Sequence, residues 1–532
     1  MLLYNSQTHK KEEFVPIEPM KVRMYACGPT VYDQIHIGNA RTFFSFDIIR
    51  RYLMYKGYEV CYAQNITDVD DKIINRAHEE GTSSEDLAQY YAAAFIEQMR
   101  RFKILDPDIR PHATKEIGPM IKMISTLIEK GHAYEAAGDV YFSVRSYKDY
   151  GNISGRDLDD LLVGARIEAN ELKKDPLDFV LWKSAKEGEP SWDSPWGKGR
   201  PGWHTECSAM VHRYLGTPID IHGGGSDLSF PHHENESAQA CSCWEHKLAN
   251  YWMHAGMLLV DGEKMSKSLG NFHTLKEVLD QHSPEALRLL MLQTHYRSSM
   301  DFSFERLKGA ESSVERIKSC LRRLAWQQEQ AATFQGQAVM QGQAALQEED
   351  GDKGAANPAD KAVADKSFAL LLSEIKEKFI AAMDDDFNTA SAISEVFNLV
   401  NAANVYLDSL SLPAAVGAES LSLCQRAAEL ICKLLSIFGI DLVLEHEISY
   451  PQEIIDLARQ VKEEAGQLVE GLDSAVLELS NEESAARFLL ALRQEARSQK
   501  NWALADTIRD RLKDLGLLIE DTQAGARIVQ AK

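Results

Sequence analysis

The stretch KVRMYACGPTV, from Lys21 onward, is a β-branched and aromatic run that ends where Gly28-Pro29 makes the backbone turn. From about Asn39 the period changes, with Phe46, Ile49 and Leu53 recurring at helical spacing and Gly57 closing the run. EVCYAQNIT then alternates as a second strand, and DVDDKIINRAHEE opens a second helix. Strand, helix and strand in that order make the repeating unit of a doubly wound parallel sheet. Ligands of such sheets sit at the carboxyl ends of strands, which is where Cys27, Gly28 and Thr67 fall. The expected fold class is α/β: a Rossmann-type parallel-sheet domain with an inserted domain, followed by helical C-terminal domains.

Length and composition divide the rest. A chain of 532 residues is too long for one core, and roughly three to four domains are expected. Residues 1–112 read as the first half of the nucleotide fold. Residues 113–200, with one helix, short strands near Asp139 and a Trp-, Pro- and Gly-rich stretch, read as an insertion. The sheet resumes over 201–255 with TPIDIHGGGSDL and a helix opening at PHHENE, and 256–310 carries a lysine-bearing loop. A helical region is expected over 311–440, interrupted at 327–366 by a Gln-, Ala- and Gly-rich segment that buries too little to hold itself firmly. A final module spans 441–532.

Several function classes drop out. No apolar run approaches the ~18 residues of a membrane helix, and the start MLLYNSQTHKKEEF is not a secretory signal. A cytoplasmic chain, most simply a monomer, is expected. Eight cysteines are too sparse for a disulfide scaffold. Cys61, Cys320, Cys424 and Cys432 are expected as small buried hydrophobes, and Cys241 and Cys243 with His246 make a poor tetrahedral frame. The net charge of −22 speaks to long-range field rather than to any local surface. Basic residues do cluster, at Arg306, Lys308, Arg316 and Arg323 and again at Arg493, Arg497, Lys500 and Arg509.

Four short strings carry chemistry. HIGN, at 36–39, follows a strand at the first turn of a helix, where unpaired backbone N–H groups form an anion site and His36 adds a donor. KMSKS, at 264–268, brings the ammonium groups of Lys264 and Lys267 within reach of charge building on a transferring phosphoryl group. GGGSD, at 223–227, ends a strand and fails the GxGxxG pattern, so no dinucleotide fingerprint is present. In PHHENE, His232 and Glu236 stand four apart on one helix face, while the overlapping HENES lacks the second histidine of a zinc protease.

In this order the strings resemble the class I aminoacyl-tRNA synthetases, and within them the cysteinyl-tRNA synthetase family. The resemblance implies ATP-dependent joining of L-cysteine to tRNA(Cys) through cysteinyl-adenylate, with Mg²⁺ accompanying ATP. It implies one Zn²⁺ per chain on Cys27, Cys207, His232 and Glu236, which spacing alone does not nominate. Catalytic roles fall on His36, Asn39, Lys264 and Lys267, and ATP contacts on His36, Gly38, Asn39, Gly225, Asp227 and Lys267. Asn39 stands where the family's string usually ends in a second histidine, so it donates a hydrogen bond but carries no charge. Gly28, Thr67 and Trp203 match positions around the bound amino acid. NWALADTIRDRLKDLG, from Asn501, resembles the family's last helix, which implies that 441–532 is an anticodon-binding module with Trp502, Arg497 and Arg509 as tRNA contacts. Two other classes stay open here: a relative joining activated cysteine to an amine-bearing sugar, and a zinc hydrolase or zinc-stabilised binding module.

Overall fold

The structure is a computed structural model that describes residues 1–156, 172–265, 270–340, 358–410, 417–442, 450–472, 476, 477, 479–522 and 525–530. The N-terminal hairpin β1 (Leu2–Asn5) and β2 (Lys10–Glu13) precedes β3 (Lys21–Ala26), α1 (Ile37–Tyr55) and β4 (Glu59–Gln64). Helices α2 (Asp71–Glu80), α3 (Ser84–Arg101) and α4 (Ile117–Glu129) follow, and α5 (Trp203–Leu215), β9 (Ile219–Gly225), α6 (Glu234–Trp244) and β10 (Ala249–Ala255) return the chain to the sheet. The sheet is parallel throughout, ordered β10-β9-β3-β4. Every residue of β9 is buried, as expected of a strand covered on both faces.

Helix α1 packs on β4 and β9 through a nearly continuous buried face that includes Phe43, Phe46, Ile49 and Leu53. Its first turn begins at Ile37, two residues before Asn39, because His36 is the N-cap and its Nδ1 accepts from Asn39 N at 3.2 Å. The close approach of helix to sheet explains Gly223: a Cβ there would lie 2.2 Å from Phe46 Cζ.

Between α4 and α5 lies a four-stranded antiparallel sheet, β5 (Ala133–Ala136), β6 (Asp139–Phe142), β7 (Phe179–Ser184) and β8 (Gly199–Pro201), in chain order. Only the short strands near Asp139 were legible beforehand. β8 is short and contains Gly and Pro, and it pairs only at the edge. The insertion shares one core with the parallel sheet: Met120, Leu127, Phe142 and Trp182 cluster with Cys27, Cys207 and Trp252.

Two buried arginines pin the rest of this region. Arg41 of α1 donates to the carbonyls of Gly256 and Met257, both at 2.7 Å, and of Ser298 at 2.6 Å. Those residues flank β11 (Leu258–Val260) and β13 (Met300–Phe302), which run parallel, with β12 (Glu263–Lys264) antiparallel to β11. After α7 (Leu275–Gln281), Arg288 of α8 (Pro284–Leu292) ion-pairs with Asp47 at 2.5 Å with both side chains fully buried. It also donates to Phe438 O at 2.7 Å and Phe102 O at 2.9 Å.

The described chain forms two compact units: Met1–Ile317 with Leu370–Val400 and Glu429–Leu442, and Lys318–Ala369 with Asn401–Ala428 and Val443–Lys532. Long helices α9 (Phe304–Met340), α10 (Pro358–Asp384), α11 (Thr389–Ser409) and α12 (Ala418–Ile437) supply the helical region. The segment expected to be loosely held, 327–366, is helical to Met340 and again from Pro358, and 341–357 lie outside the described residues. In the second unit, α13 (Glu453–Ala465), α14 (Glu482–Ser498), α15 (Trp502–Asp514) and the hairpin β14 (Leu517–Thr522) and β15 (Gly525–Gln530) enclose a core of Ile454, Val461, Phe488, Leu492, Ile508 and Leu512. Cys320 and Cys424 are buried as expected, but Cys61 is half-buried and Cys432 exposed, a correction that follows from the face of α12 on which Cys432 falls. Among the described residues no helix is long and apolar enough to cross a membrane.

Candidate active site and metal centre

Cys27 directly follows β3, Cys207 lies in α5, and the turn after β9 delivers His232 and then Glu236 at the start of α6. These elements bring the donor atoms together in the buried core. Cys27 Sγ lies 3.6 Å from Cys207 Sγ and 3.3 Å from Glu236 Oε1, and Cys207 Sγ lies 3.7 Å from His232 Nε2. His232 Nε2 and Glu236 Oε1 are 2.6 Å apart. All four ligand atoms fall within 4.8 Å of one another, as the vertices of one coordination sphere must.

The electrostatics fit that set. Cys207 is drawn down to about 7, chiefly by its contact with the Cys27 thiol, while burial pushes Cys27 well up. Burial favours a neutral His232, but the Glu236 carboxylate and the Cys207 sulfur together outweigh it and lift the imidazole to about 10. Burial would raise Glu236, yet the two histidines beside it hold it well below the usual carboxylate range. Its Oε2 lies 2.7 Å from His222 Nε2, the second of those histidines. Sequence reasoning missed two further neighbours: His222 of β9 and His233 place Nε2 3.7 and 3.4 Å from Cys27 Sγ, giving a second grouping with Cys27 and Glu236. The doubled histidine of PHHENE was the available signal.

Around the cluster stands a polar web. Gly28 N donates to Asn65 Oδ1 at 2.8 Å, and Asn65 Nδ2 donates to Thr67 Oγ1 at 3.2 Å. Thr67 Oγ1 in turn donates to Glu206 Oε2 at 2.6 Å. A Cβ at Gly28 would lie 1.7 Å from Asn65 O, so only glycine lets the two backbone segments approach. Trp203 stacks on His232 with ring centroids 4.2 Å apart, and 36% of it stays exposed, so it forms part of the wall facing solvent.

The nucleotide strings also meet. A Cβ at Gly38 would lie 2.7 Å from Met265 Cε, which seats Met265 directly against the HIGN turn. His36 feels the charges of both Asp227 and Lys264, though burial is the main cause that lowers its pKa. Asp227 Oδ1 would lie 2.4 Å from a Cβ at Gly225, and Lys264 is exposed on β12. Asn39 is bound through its backbone N to His36. Lys267 lies outside the described residues.

In the second unit Trp502 opens α15 and is 58% exposed, so it is not a core residue. Arg509 pairs with Asp506 at 3.1 Å and Asp510 at 3.2 Å. Arg497 lies in the last turn of α14.

Residues 13–312 match the family described as tRNA synthetases class I (C) catalytic domain, and residues 378–443 match the DALR domain. A cysteine–tRNA ligase of Desulforamulus reducens is 44% identical over 527 residues, covering 99% of each chain. One of Aquifex aeolicus is 43% identical over 526 residues, covering 99% of this chain and 98% of its own. Among solved structures, Mycobacterium tuberculosis methionyl-tRNA synthetase in complex with methionyl-adenylate aligns at a TM-score of 0.57 and 14% identity, over 79% of this chain and 90% of that one, a likeness of fold.

Proposed function

Since this chain belongs to the cysteine–tRNA ligase family of class I synthetases, we propose that Cys27, Cys207, His232 and Glu236 hold one zinc ion through which its active site selects L-cysteine for tRNA(Cys). The observation that carries this reading is the buried convergence of two thiols, an imidazole and a carboxylate from three separate places in the chain. Sulfur, nitrogen and oxygen donors in that number suit zinc better than the hard cations magnesium or calcium. Bound there, zinc supplies a Lewis-acid contact to the substrate sulfur. That contact matters because a hydrophobic pocket separates cysteine from serine or alanine by only ~1–3 kcal/mol.

The protein's own groups do the rest. Trp203 and Gly28 wall the amino-acid seat, and Thr67 offers it a hydroxyl. His36 and Asn39, at the N-terminus of α1, and Lys264 and Lys267 bind the triphosphate, which arrives with Mg²⁺. Gly38 leaves room for the nucleotide, and Gly225 and Asp227 face its ribose. The lysines gain most where charge builds during attack on the α-phosphate, as pyrophosphate leaves. Trp502, Arg497 and Arg509, in the module 441–532, contact the tRNA. The chain works as a cytoplasmic monomer, with 113–200 inserted in the catalytic fold.

The test has two stages. Cysteine-dependent exchange of pyrophosphate into ATP reports the adenylate, and its absence would sink the ligase reading. Charging of tRNA(Cys) follows; exchange without charging would point to the relative that joins cysteine to an amine-bearing sugar.

A further inference from the structure

Glu206 is the residue whose burial has no explanation in the cluster itself. It neighbours the proposed ligand Cys207 in α5, is fully buried, and forms no ion pair with any described residue. Its Oε2 accepts from Thr67 Oγ1 at 2.6 Å, while Oε1 is buried with no hydrogen-bond partner. Burial pushes this carboxyl group well above the usual carboxylate range, and the orphaned oxygen is costly.

Thr67 supplies the second observation. Its hydroxyl receives a hydrogen bond from Asn65 Nδ2 and gives its only proton to Glu206. One lone pair of Thr67 Oγ1 therefore remains, and it can only accept. Asn65 is fixed in turn by Gly28 N, and its Oδ1 lies 3.8 Å from Cys207 Sγ, so the acceptor stands at a set place beside the thiol seat. An acceptor-only hydroxyl at that place is complementary to an ammonium group.

Resting on the ligase reading above, we propose that Glu206 is a positioning residue that turns Thr67 into an acceptor for the α-ammonium group of the amino-acid substrate. With this second contact the site requires an amine at a set distance from a thiol. It thereby distinguishes an amino acid from other small thiols, a discrimination that sulfur recognition cannot provide.

The probe is 3-mercaptopropionate, which keeps the thiol and carboxylate of cysteine and lacks the amine, measured against cysteine on the full-length, zinc-loaded protein. Glu206→Leu keeps much of the volume and removes the oxygen that takes the Thr67 proton. It is expected to raise the KM for cysteine about tenfold or more, the scale of one charge-assisted hydrogen bond, and to leave zinc content, the KM for ATP and inhibition by 3-mercaptopropionate unchanged. Thr67→Val is expected to show the same pattern, and the double variant little more than either alone. Equal loss of cysteine and 3-mercaptopropionate binding, or loss of zinc, would overturn the assignment and make Glu206 structural. A variant that matched the wild type for cysteine would overturn it as well. A wild-type protein without cysteine-dependent exchange would instead refute the ligase reading on which it rests.

Discussion

The sulfur atoms of Cys27 and Cys207 lie 3.6 Å apart across 180 positions of sequence, one at the end of a sheet strand and the other in a helix that begins only after the inserted sheet. The contact is therefore a property of the closed fold. Cys207→Ser is expected to bring bound zinc well below one per chain and to weaken cysteine binding far more than ATP binding, since a hydroxyl is a poor ligand beside a thiolate. Metal analysis and separate cysteine and ATP titrations check this, and full zinc with wild-type cysteine affinity would remove Cys207 from the ligand set.

His36 gives a pH signature. Its folded pKa lies below the ordinary 6.5, mainly through burial, so in the window below 6.5 the unfolded chain binds the extra proton. Stability from this group is complete above that value and falls as pH drops through the lowered folded pKa. Protonation also removes the Nδ1 lone pair that caps Asn39 N. His36→Asn retains a capping side chain without a titrating group. The wild type is expected to lose more thermal stability than the variant between pH 7 and 5, and parallel curves would contradict the assignment.

The Asp47–Arg288 pair is a stability element rather than a catalytic one. Both side chains are fully buried, and Arg288 is ringed by Phe44 and Phe102 at 5.0 and 5.6 Å. Asp47→Ala leaves an uncompensated guanidinium and is expected to cost about 3–5 kcal/mol. Adding Arg288→Met should restore a large part of that loss, because the unpaired charge goes with it. Urea unfolding of the single and double variants decides; additive losses would mean the pair contributes mainly through its separate bonds to backbone.

Much of this was written locally. The strand ending at Gly28-Pro29, the helix after it and the next strand each follow from periods of two or 3.6 and from turn residues, and the structure places all three. His232 and Glu236 were legible as a pair because four residues span one helical turn. Cys27 and Cys207 were not, since no local rule links positions that far apart, and only the resemblance nominated them. β8 was hidden because an edge strand of Gly-Arg-Pro looks like loop. Glu206 was hidden for a different reason: an acidic residue in a helix reads as solvent-facing, and only its bond to Thr67 reveals it as buried. Cys432 was misjudged because helical context says nothing about which face a residue occupies.

Trp502 tests the C-terminal module. It opens α15 directly after its cap, Asn501, whose Oδ1 accepts from Leu504 N at 3.2 Å, and at 58% exposure it contributes little to the core beneath. Trp502→Ala should therefore change stability by no more than ~0.5 kcal/mol. Its ring is available to stack on an unpaired base, a contact worth ~1–3 kcal/mol. The variant is expected to keep cysteine-dependent exchange intact while kcat/KM for tRNA falls by about one to two powers of ten. Arg509 already faces the carboxylates of Asp506 and Asp510, so Arg509→Ala should lower tRNA charging less. On a tRNA with an altered anticodon the Trp502 effect should shrink, because both changes remove the same contact. Equal damage to exchange and charging would mean that Trp502 acts through folding, and no damage to either would leave the module without a role at the anticodon.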